Sequence, residues 1–432
     1  MDAFIQIDRI LARKYVGREV SIRGWIHRKR SSGGVKFIII RDSSGIIQTA
    51  IKKEQVTPQS WEKAEKVLIE SSVTARGVVK EDKRAPGGYE IQAKDFDVIQ
   101  FSEPFPITEH QSTELLLDTR HLWLRSQKLT NIMKVRHHLV NYLREYFFSQ
   151  GFWEVAPPII TKAGCEGGST LFHLKYFEDD AYLTQSAQLY NEAFITSLEK
   201  IFVLAPSFRA EKSRTVRHLA EYWHLEAEEA FYNNEDNIKL QEELVSFACK
   251  KLAKEQKELL EFFGRKSEEL NRVEPPFKRM SYDEALDYLA KKGVKKEWGE
   301  DMGAEDEKVL TADLKKPLII YNYPKKAKAF YMRLNPDNPE TVLNNDMLAS
   351  EGHGEIIGGS ERIWDYDELM QRIKEEKLNV KNYEWYLDLR KYGSIPHSGF
   401  GLGIERILKW ILNLEHIRDA VPFPRTINRV YP

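Results

Sequence analysis

The sequence predicts an α+β protein in which a small β-barrel precedes a larger, mainly antiparallel domain. Three observations predict this fold class. Five short strand patterns separated by turn signals lie within residues 18–101. Beyond residue 152, strands and helices mix without the regular alternation of a parallel sheet. Neither a GxGxxG nor a GxxxxGKS/T phosphate loop occurs.

The N-terminal strand patterns are short, rich in β-branched residues and bounded by glycine and serine. They are REVSIRGWIH, VKFIIIRD, IIQTAIKK, SSVTARGVVKE and YEIQAKDFDVIQ, and a helical stretch, QSWEKAEKVL, lies between the third and the fourth. This count is typical of a small closed barrel. Residues 1–103 carry 19 basic and 14 acidic side chains, an excess typical of modules that bind polyanions. A solvated surface is the alternative explanation of this excess.

A proline-containing segment, EPFPITEHQSTELLLDTRH, follows the barrel and predicts a linker, which we place over residues 104–130. Residues 128–150 have helical periodicity and end at Gly151, a helix stop signal. The larger domain is therefore expected over residues 131–432. Within it, residues 237–272 predict a long helical stretch whose charges face solvent.

The composition excludes several classes of protein. Lys plus Arg number 65 and Asp plus Glu number 66, so the net charge says nothing about partners. Two cysteines, Cys165 and Cys249, cannot form a disulfide framework or a four-thiolate zinc site, which indicates a reducing compartment. No signal segment follows Met1, and no apolar run approaches about 18 residues. We expect a cytoplasmic protein that does not associate with a membrane.

The segment FRAEKSRTVRHLAE predicts a hairpin with a basic loop. We expect a strand over Ile201–Glu211, a loop over Lys212–His218 and a return strand over Glu221–Phe231. The strand period of two places one polar and one apolar face on the return strand. The polar face has Tyr222, His224, Glu226 and Glu228, and the core face has Trp223, Leu225, Ala227 and Phe231. Such a hairpin suits a substrate with a polyphosphate and an amine, although an exposed hairpin with ordinary surface charge is the alternative.

Near the C-terminus, SGFGLGIERILKWIL predicts a glycine-rich junction between a strand and a helix. Gly399, Gly401 and Gly403 would let a flat ligand approach the backbone closely, since glycine has no Cβ. Arg406 follows on the first turn of the helix, where its guanidinium can stack on a base or contact phosphate.

Together these segments resemble the class II aminoacyl-tRNA synthetases. FRAE with RHLAEYWHLE resembles motif 2, GFGLGIERI resembles motif 3, and GFWEVAPPII, with Pro158, resembles motif 1 at the dimer interface. RGWIHRKR and FIIIRDSSGIIQ are similar to the OB-fold anticodon-binding barrel of the aspartyl, asparaginyl and lysyl subgroup. The resemblance covers the whole chain. It implies a homodimer with an OB-fold over residues 1–103 and a class II catalytic domain that has an insertion at about 270–340 between motifs 2 and 3.

Enzymes of this family join an amino acid to ATP, release pyrophosphate and then transfer the aminoacyl group to tRNA. The resemblance implies that Arg209 and Arg406 are catalytic, Arg209 contacting the α-phosphate and the attacking carboxylate. The implied ATP-binding residues are Arg209, Glu211, Arg217, His218, Tyr222, Glu355 and Arg406. Among them, Glu211 would bind the adenine amine, His218 and Arg217 the outer phosphates, and Tyr222 and Arg406 the adenine ring. Asp346 and Glu355 match the family's acidic pair, and Mg²⁺ prefers such oxygen ligands.

The resemblance also implies residues for the amino acid and for the anticodon. The amino acid would contact Glu166, Ser186, Gln188, Asn191, Glu226 and Arg362, with Glu166 in a flexible lid, AGCEGGSTLF. A plain turn is the alternative for this lid. In the barrel, Phe37 would stack on an anticodon base, Gln48 would bind a base edge, and Arg28 and Arg30 would meet phosphate. Phe37 as an ordinary core residue is the competing interpretation.

The choice of amino acid depends on few positions. Aspartate enzymes typically have QSPQLYK where this chain has QSAQLYN, so Ala187 replaces proline and Asn191 replaces a lysine. A pocket with one cation fewer suits a neutral amide better than a carboxylate, and Arg362 remains to donate to the side-chain carbonyl. The ending FPRTINRVYP is similar to asparagine enzymes of archaeal type. The expected substrates are therefore asparagine, ATP and tRNA(Asn).

Three alternatives stay open. An aspartate enzyme, whether it charges one tRNA or two, would keep this architecture. An asparagine synthetase-like paralogue shares the catalytic domain, but that family lacks the barrel. A paralogue that only binds RNA would be expected to have lost Arg209, Glu355 or Arg406, and all three are present.

Overall fold

The computed structural model describes residues 4–108, 110–165, 170–212 and 215–432. The chain divides into two compact units, the first ending at Leu116 and the second running from Leu117 to Pro432. Across the described residues, none of the helices combines the length and the apolar character that a membrane span needs.

The first unit contains a closed five-stranded barrel, as the strand patterns predict. Its elements are α1 (Ile7–Arg9), a π-helical turn (Ile10–Lys14), β1 (Glu19–Ser32), β2 (Val35–Arg41), β3 (Ile46–Lys52), α2 (Pro58–Lys66), β4 (Ser72–Glu81), a 3₁₀ turn (Pro86–Gly88) and β5 (Tyr89–Gln100). The strand order is β1-β2-β3-β5-β4, and the barrel closes where β1 pairs with β4. Helix α2 begins where the Thr57 side chain accepts the backbone N–H of Ser60, with Pro58 in the first turn.

The second unit is built from helices and one large sheet. Its helices, with α3 lying across the boundary, are α3 (Thr113–Asp118), α4 (Arg120–Trp123), α5 (Gln127–Ser149), α6 (Gln188–Leu198), α7 (Asn234–Glu255), α8 (Lys257–Phe262), α9 (Ser267–Asn271), α10 (Tyr282–Lys291), α11 (Ala304–Thr311), α12 (Tyr366–Glu375), α13 (Glu384–Lys391) and α14 (Ile404–Ile411). Its 3₁₀ turns are Lys325–Ala327, Val380–Tyr383 and Ile417–Ala420. Its strands are β6 (Trp153–Glu154), β7 (Ile160–Thr161), β8 (His173–Tyr176), β9 (Asp179–Leu183), β10 (Lys200–Phe208), β11 (Glu221–Ala230), β12 (Lys278–Ser281), β13 (Leu318–Tyr321), β14 (Leu334–Asn335), β15 (Asn338–Val342), β16 (Asn344–Ala349), β17 (Gly354–Glu361) and β18 (His397–Gly403).

The large sheet has eight strands in the order β12-β13-β16-β17-β18-β11-β10-β6. Every adjacent pair from β13 to β10 is antiparallel, and the two outermost pairs, β12 with β13 and β10 with β6, are parallel. One face is covered by α5, α7 and α14, whose apolar residues share a buried cluster with Leu225 and Ala227 of β11. This agrees with the predicted antiparallel α+β domain. It leaves the other face of the central strands available for a ligand.

Two helical predictions have different outcomes. Helix α5 ends at Ser149, and Gly151 has a φ of 76°, as expected of a helix stop. The predicted long helix over 237–272 is instead three helices, α7, α8 and α9. One interruption falls at Gly264, where φ is 73°, a conformation that favours glycine. Just after it, buried Arg265 donates to the carbonyls of Trp410 and Ile411.

Residues 270–340 contribute to the main sheet. Strands β12 and β13 extend its edge beyond β16, and helices α10 and α11 pack near them. Their apolar residues, among them Tyr282, Leu289, Leu310 and Leu318, form a separate buried cluster. This segment therefore forms one edge of the sheet that also contains β11 and β18.

Candidate active site

The predicted hairpin is present, with a shorter first strand than expected. Strand β10 ends at Phe208 rather than at Glu211, and Phe208 pairs with Glu221 at the start of β11. Strand β11 ends at Ala230, so the prediction that Phe231 packs in the core is wrong. Phe231 has a φ of 66° and is 64% exposed, because this left-handed backbone conformation breaks the alternation of β11, although its N–H still donates to the carbonyl of Pro396 just before β18.

The two faces of β11 differ as the period of two predicts. Leu225 and Ala227 are buried in the core. On the other face, Tyr222, His224, Glu226 and Glu228 line two neighbouring cavities. Trp223 departs from the expected core face, since it is 38% exposed. These four residues form a polar floor under the cavities, because alternate side chains of one strand point to the same face.

Residues from three distant segments meet around a cavity of about 510 Å³. They are Arg209, Arg217, His218, Tyr222, Glu355 and Arg406, all predicted as ATP contacts. The Arg209 guanidinium carbon lies 5.8 Å from the centre of the Tyr222 ring. Arg406 Nη1 lies 3.0 Å from Glu355 Oε2. Glu211, the remaining predicted contact, lines a small adjacent cavity, with one carboxylate oxygen 3.9 Å from Arg209 Nη1.

This cavity has a strongly cationic wall. Burial lowers the pKa of His218, and the neighbouring Arg406 lowers it further, so the imidazole is neutral at pH 7. For Glu355, burial opposes ionisation, but Arg406 and other cations outweigh it and lower its pKa to about 2. The wall therefore offers guanidinium groups and an ionised carboxylate, which suits a polyphosphate with an accompanying cation.

A larger, open cavity of about 1390 Å³ adjoins the first and shares Arg209, His224 and Glu355 with it. The predicted amino-acid contacts Ser186, Gln188, Asn191, Glu226 and Arg362 all line it. The Ala187 N–H donates to Glu226 Oε2 at 2.9 Å, and the Ser186 hydroxyl donates to the same carboxylate. Gln188 N–H donates in turn to Ser186 Oγ at 3.1 Å. The segment before α6 is thereby held against the floor of β11.

For Glu228 the sequence predicts a place on the polar face of β11 but no role in the site. Arg362 Nε and Nη2 donate to its two carboxylate oxygens at 2.9 and 3.1 Å, a bidentate ion pair. Both side chains are almost fully buried and line the larger cavity. The period of two placed Glu228 on the floor, but its contact with Arg362 depends on the pairing of β11 with β18 and of β18 with β17.

Asn191 is fully buried and lines the same cavity. Among the described residues, neither its Oδ1 nor its Nδ2 has a hydrogen-bond partner. A buried amide left unpaired costs about 1–3 kcal/mol. A polar ligand in the cavity would remove that cost.

Asp346 and Glu355, the predicted metal ligands, converge over Gly358. A Cβ built on Gly358 would lie 3.3 Å from Glu355 Oε1 and 3.8 Å from Asp346 Oδ1. Both carboxylates line the larger cavity, and Lys328 Nζ lies 2.6 Å from Asp346 Oδ2. Burial raises the pKa of Asp346 to about 7, with Lys328 acting against this rise. Two converging carboxylate oxygens beside a cavity lined by guanidinium groups fit Mg²⁺.

A second group of potential ligands is Glu192, Glu228 and His397, all buried in the second unit. Glu192 accepts hydrogen bonds from Arg390 Nη2 at 2.5 Å and from His397 Nε2 at 3.0 Å, and Glu228 is held by Arg362. Two guanidinium groups already neutralise these carboxylates, so the ion pairs account for this group without a metal ion.

The predicted lid residue, Glu166, lies outside the described residues. Its neighbour Cys165 is buried and lines the larger cavity. The lid and its contact with the substrate ammonium remain predictions.

The predicted anticodon residues meet on one side of the barrel. Arg30 on β1 lies opposite Phe37 on β2, with its guanidinium carbon 4.7 Å from the ring centre. Arg30 Nη2 also donates to Gln48 Oε1 at 3.2 Å, and Gln48 Nε2 donates to Glu90 at 3.0 Å. Phe37 is half-buried and outside the buried barrel core. Arg28 is exposed two residues before Arg30, on the same side of the strand.

Comparison with known proteins places this geometry in context. Residues 112–427 match the family described as tRNA synthetases class II (D, K and N), and residues 20–99 match OB-fold nucleic acid binding domains. The chain is 54% identical over 416 residues to the asparagine–tRNA ligase of Thermococcus gammatolerans, covering 96% of each chain. It is 48% identical to that of Thermoplasma acidophilum over 99% of this chain and 100% of the relative.

Among solved structures, the chain is similar to asparaginyl-tRNA synthetase from Pyrococcus horikoshii complexed with asparaginyl-adenylate. The TM-score is 0.97 at 50% sequence identity, and the match covers 100% of both chains.

Proposed function

The chain belongs to the class II tRNA synthetases of the aspartate, lysine and asparagine group, and we propose that it is the asparagine-specific member. It activates asparagine with ATP to give asparaginyl-adenylate and transfers the asparaginyl group to the 3′ end of tRNA(Asn). The observation that carries this proposal is the cavity that joins the cationic wall to the Glu228–Arg362 pair and to Asn191.

The first step needs positioning more than acid–base chemistry. The asparagine carboxylate, ionised at pH 7, attacks the α-phosphorus, and pyrophosphate leaves with the bonding electrons. Arg209 holds the attacking carboxylate and the α-phosphate, while Arg217 and His218 hold the outer phosphates. Tyr222 and Arg406 enclose the adenine, and Glu211 accepts from its amine. Asp346 and Glu355 would hold Mg²⁺, which neutralises phosphate charge when bound.

Glu228 and Arg362 account for a preference for an amide. The side-chain amide of asparagine has one acceptor and one donor group, and the pair supplies a guanidinium donor and a carboxylate acceptor. An aspartate side chain would place a second carboxylate beside Glu228. Asn191 supplies no ammonium to offset that repulsion. Glu226, Ser186 and Gln188 shape the neighbouring wall, and Glu166 would contact the substrate ammonium, as the family resemblance implies.

Amino-acid-dependent exchange of labelled pyrophosphate into ATP tests the proposal. We expect exchange with asparagine, and a kcat/KM for aspartate at least about 100-fold lower, because an unpaired buried charge is costly. Equal or faster exchange with aspartate would instead identify an aspartate or dual-specificity enzyme. Asparagine formed from aspartate and ammonia would identify a synthetase-like paralogue, and RNA binding without exchange would identify a binding protein.

Phe37→Ala should weaken tRNA charging and leave asparagine activation unchanged. The half-buried ring offers a stacking surface, and base stacking contributes about 1–3 kcal/mol. We expect KM for tRNA(Asn) to rise about tenfold or more, measured by aminoacylation beside pyrophosphate exchange. Ile99→Ala, which truncates a side chain 66% exposed on β5, is the matched control. Equal losses in both half-reactions would contradict a role for Phe37 in tRNA binding.

We also propose a homodimer through motif 1. Strand β6 lies at the edge of the large sheet, Trp153 on it is 61% exposed, and Phe148 at the end of α5 is 54% exposed. An edge strand with large apolar side chains nearby suits pairing with a second copy. The cytoplasmic location stays a prediction.

A further inference from the structure

Glu307 lies on α11, between the segments that resemble motifs 2 and 3, and no sequence pattern assigns it a role. Its Oε2 lies 2.6 Å from Arg217 Nη2 in a salt bridge, and the same oxygen accepts the backbone N–H of Glu355 at 2.7 Å. One carboxylate oxygen thus joins the basic hairpin loop to the first residues of β17. Both of these partners line the 510 Å³ cavity.

The Glu307–Arg217 pair is largely removed from water. The Arg217 side chain is 11% exposed and that of Glu307 is 8% exposed. In such an environment the attraction between the two charges is stronger than on the surface, desolvation offsets much of that gain, and loss of one partner leaves a buried charge without compensation. The pair is therefore suited to hold a long, flexible arginine side chain in one place.

Gly354 lies against both groups of this ion pair. Its φ is 76°, and a Cβ built on it would lie 2.5 Å from Arg217 Nη1. A side chain at this position would displace the guanidinium. That Cβ would also clash with Glu307 Oε2, so the absence of a side chain at Gly354 leaves room for both groups of the ion pair.

The pairing does not withdraw Arg217 from the cavity, because Arg217 lines the cavity while bound to Glu307. A guanidinium has several N–H donors in a fixed plane, so donors remain for phosphate oxygens. We propose that Glu307 is a positioning residue for ATP, which orients Arg217 toward the outer phosphates. This inference rests on the proposed function, in which Arg217 contacts those phosphates.

A merely structural role for Glu307 predicts a different outcome. If Glu307 only holds α11 against the sheet, its replacement would weaken the binding of every ligand of the site to the same extent. If Glu307 orients Arg217, its replacement weakens the binding of ATP but not the binding of a ligand that lacks the outer phosphates. The sulfamoyl analogue of asparaginyl-adenylate is such a ligand, since its sulfamoyl group stands in for the α-phosphate and it carries no β- or γ-phosphate.

The experiment compares Glu307→Gln with Glu305→Gln, an exposed position on the same helix. Calorimetry with ATP alone and with the analogue gives two dissociation constants for each protein. We expect Glu307→Gln to raise the Kd for ATP about tenfold and to leave that for the analogue within about twofold. Glu305→Gln should change neither constant. The inference would be overturned if Glu307→Gln raised the Kd values for both ligands equally, or if it left the Kd for ATP unchanged.

A double-mutant cycle tests whether the effect passes through Arg217. In an Arg217→Ala background, Glu307→Gln should no longer raise the Kd for ATP. A further tenfold rise there would show that Glu307 does not act through Arg217. Because ATP binding is measured without an amino acid, the result is independent of asparagine-dependent exchange. Failure of the wild type in that exchange would overturn the proposed function instead.

Discussion

Arg406→Ala is expected to lower kcat/KM for asparagine-dependent pyrophosphate exchange by about 10²–10³-fold. The guanidinium lies on the cavity wall, 3.0 Å from Glu355, so its loss removes positive charge from the phosphate and adenine site. Stability should change little, because α14 is held by its other side chains, such as Ile407 and Leu408, which are fully buried. Arg209→Ala should give a loss of similar size.

Steady-state exchange kinetics, with circular dichroism to verify folding, measure this effect. Arg84→Ala is a suitable control, since it removes an arginine that is 86% exposed on the barrel. The control should retain wild-type exchange. Near-normal exchange by folded Arg406→Ala would contradict the assignment of the cationic cavity as the ATP site.

Asn191→Lys is expected to raise the ratio of kcat/KM for aspartate to that for asparagine by about tenfold or more. Asn191 is fully buried on the cavity that also contains Glu228 and Arg362. A lysine there would neutralise Glu228 or pair with an aspartate carboxylate, and it would deprive the asparagine amide of an acceptor. Activity with asparagine should therefore fall while activity with aspartate rises.

Asn191→Leu separates the effect of charge from the effect of shape. Leucine has a similar volume but no ammonium, so it should impair asparagine activation without favouring aspartate. Exchange kinetics with both amino acids on the wild type and both variants give the ratio. If the ratio in Asn191→Lys does not exceed that in Asn191→Leu, position 191 does not determine specificity.

Features that depend on neighbouring residues could be predicted from the sequence. The strand period of two separated the polar floor of β11 from its core face. The glycines before Arg406 predicted the strand β18, which pairs with β11. The barrel strands were predicted to within a few residues because turn residues bound each of them. Alternation and turn preferences are local, so a single sequence contains them.

The predicted helix over 237–272 and the position of Phe231 show where local patterns are insufficient. Helical periodicity continues through Gly264, but Arg265 turns inward to bind the carbonyls that end α14. Phe231 continues the apolar alternation, but the chain leaves the sheet after Ala230. In both places a contact distant in sequence outweighs the local preference.

By itself, the sequence determined the class of most segments and the faces of the strands, and through the motifs it predicted which residues contact ATP. Only the tertiary structure decided which of them touch. Arg362 reaches Glu228, Glu355 reaches Arg406 and Glu307 reaches Arg217 because the order of the eight strands brings β11, β17 and β18 side by side and places α11 near β17. Strand order is set by burial of the whole core, a property that no short stretch of sequence contains.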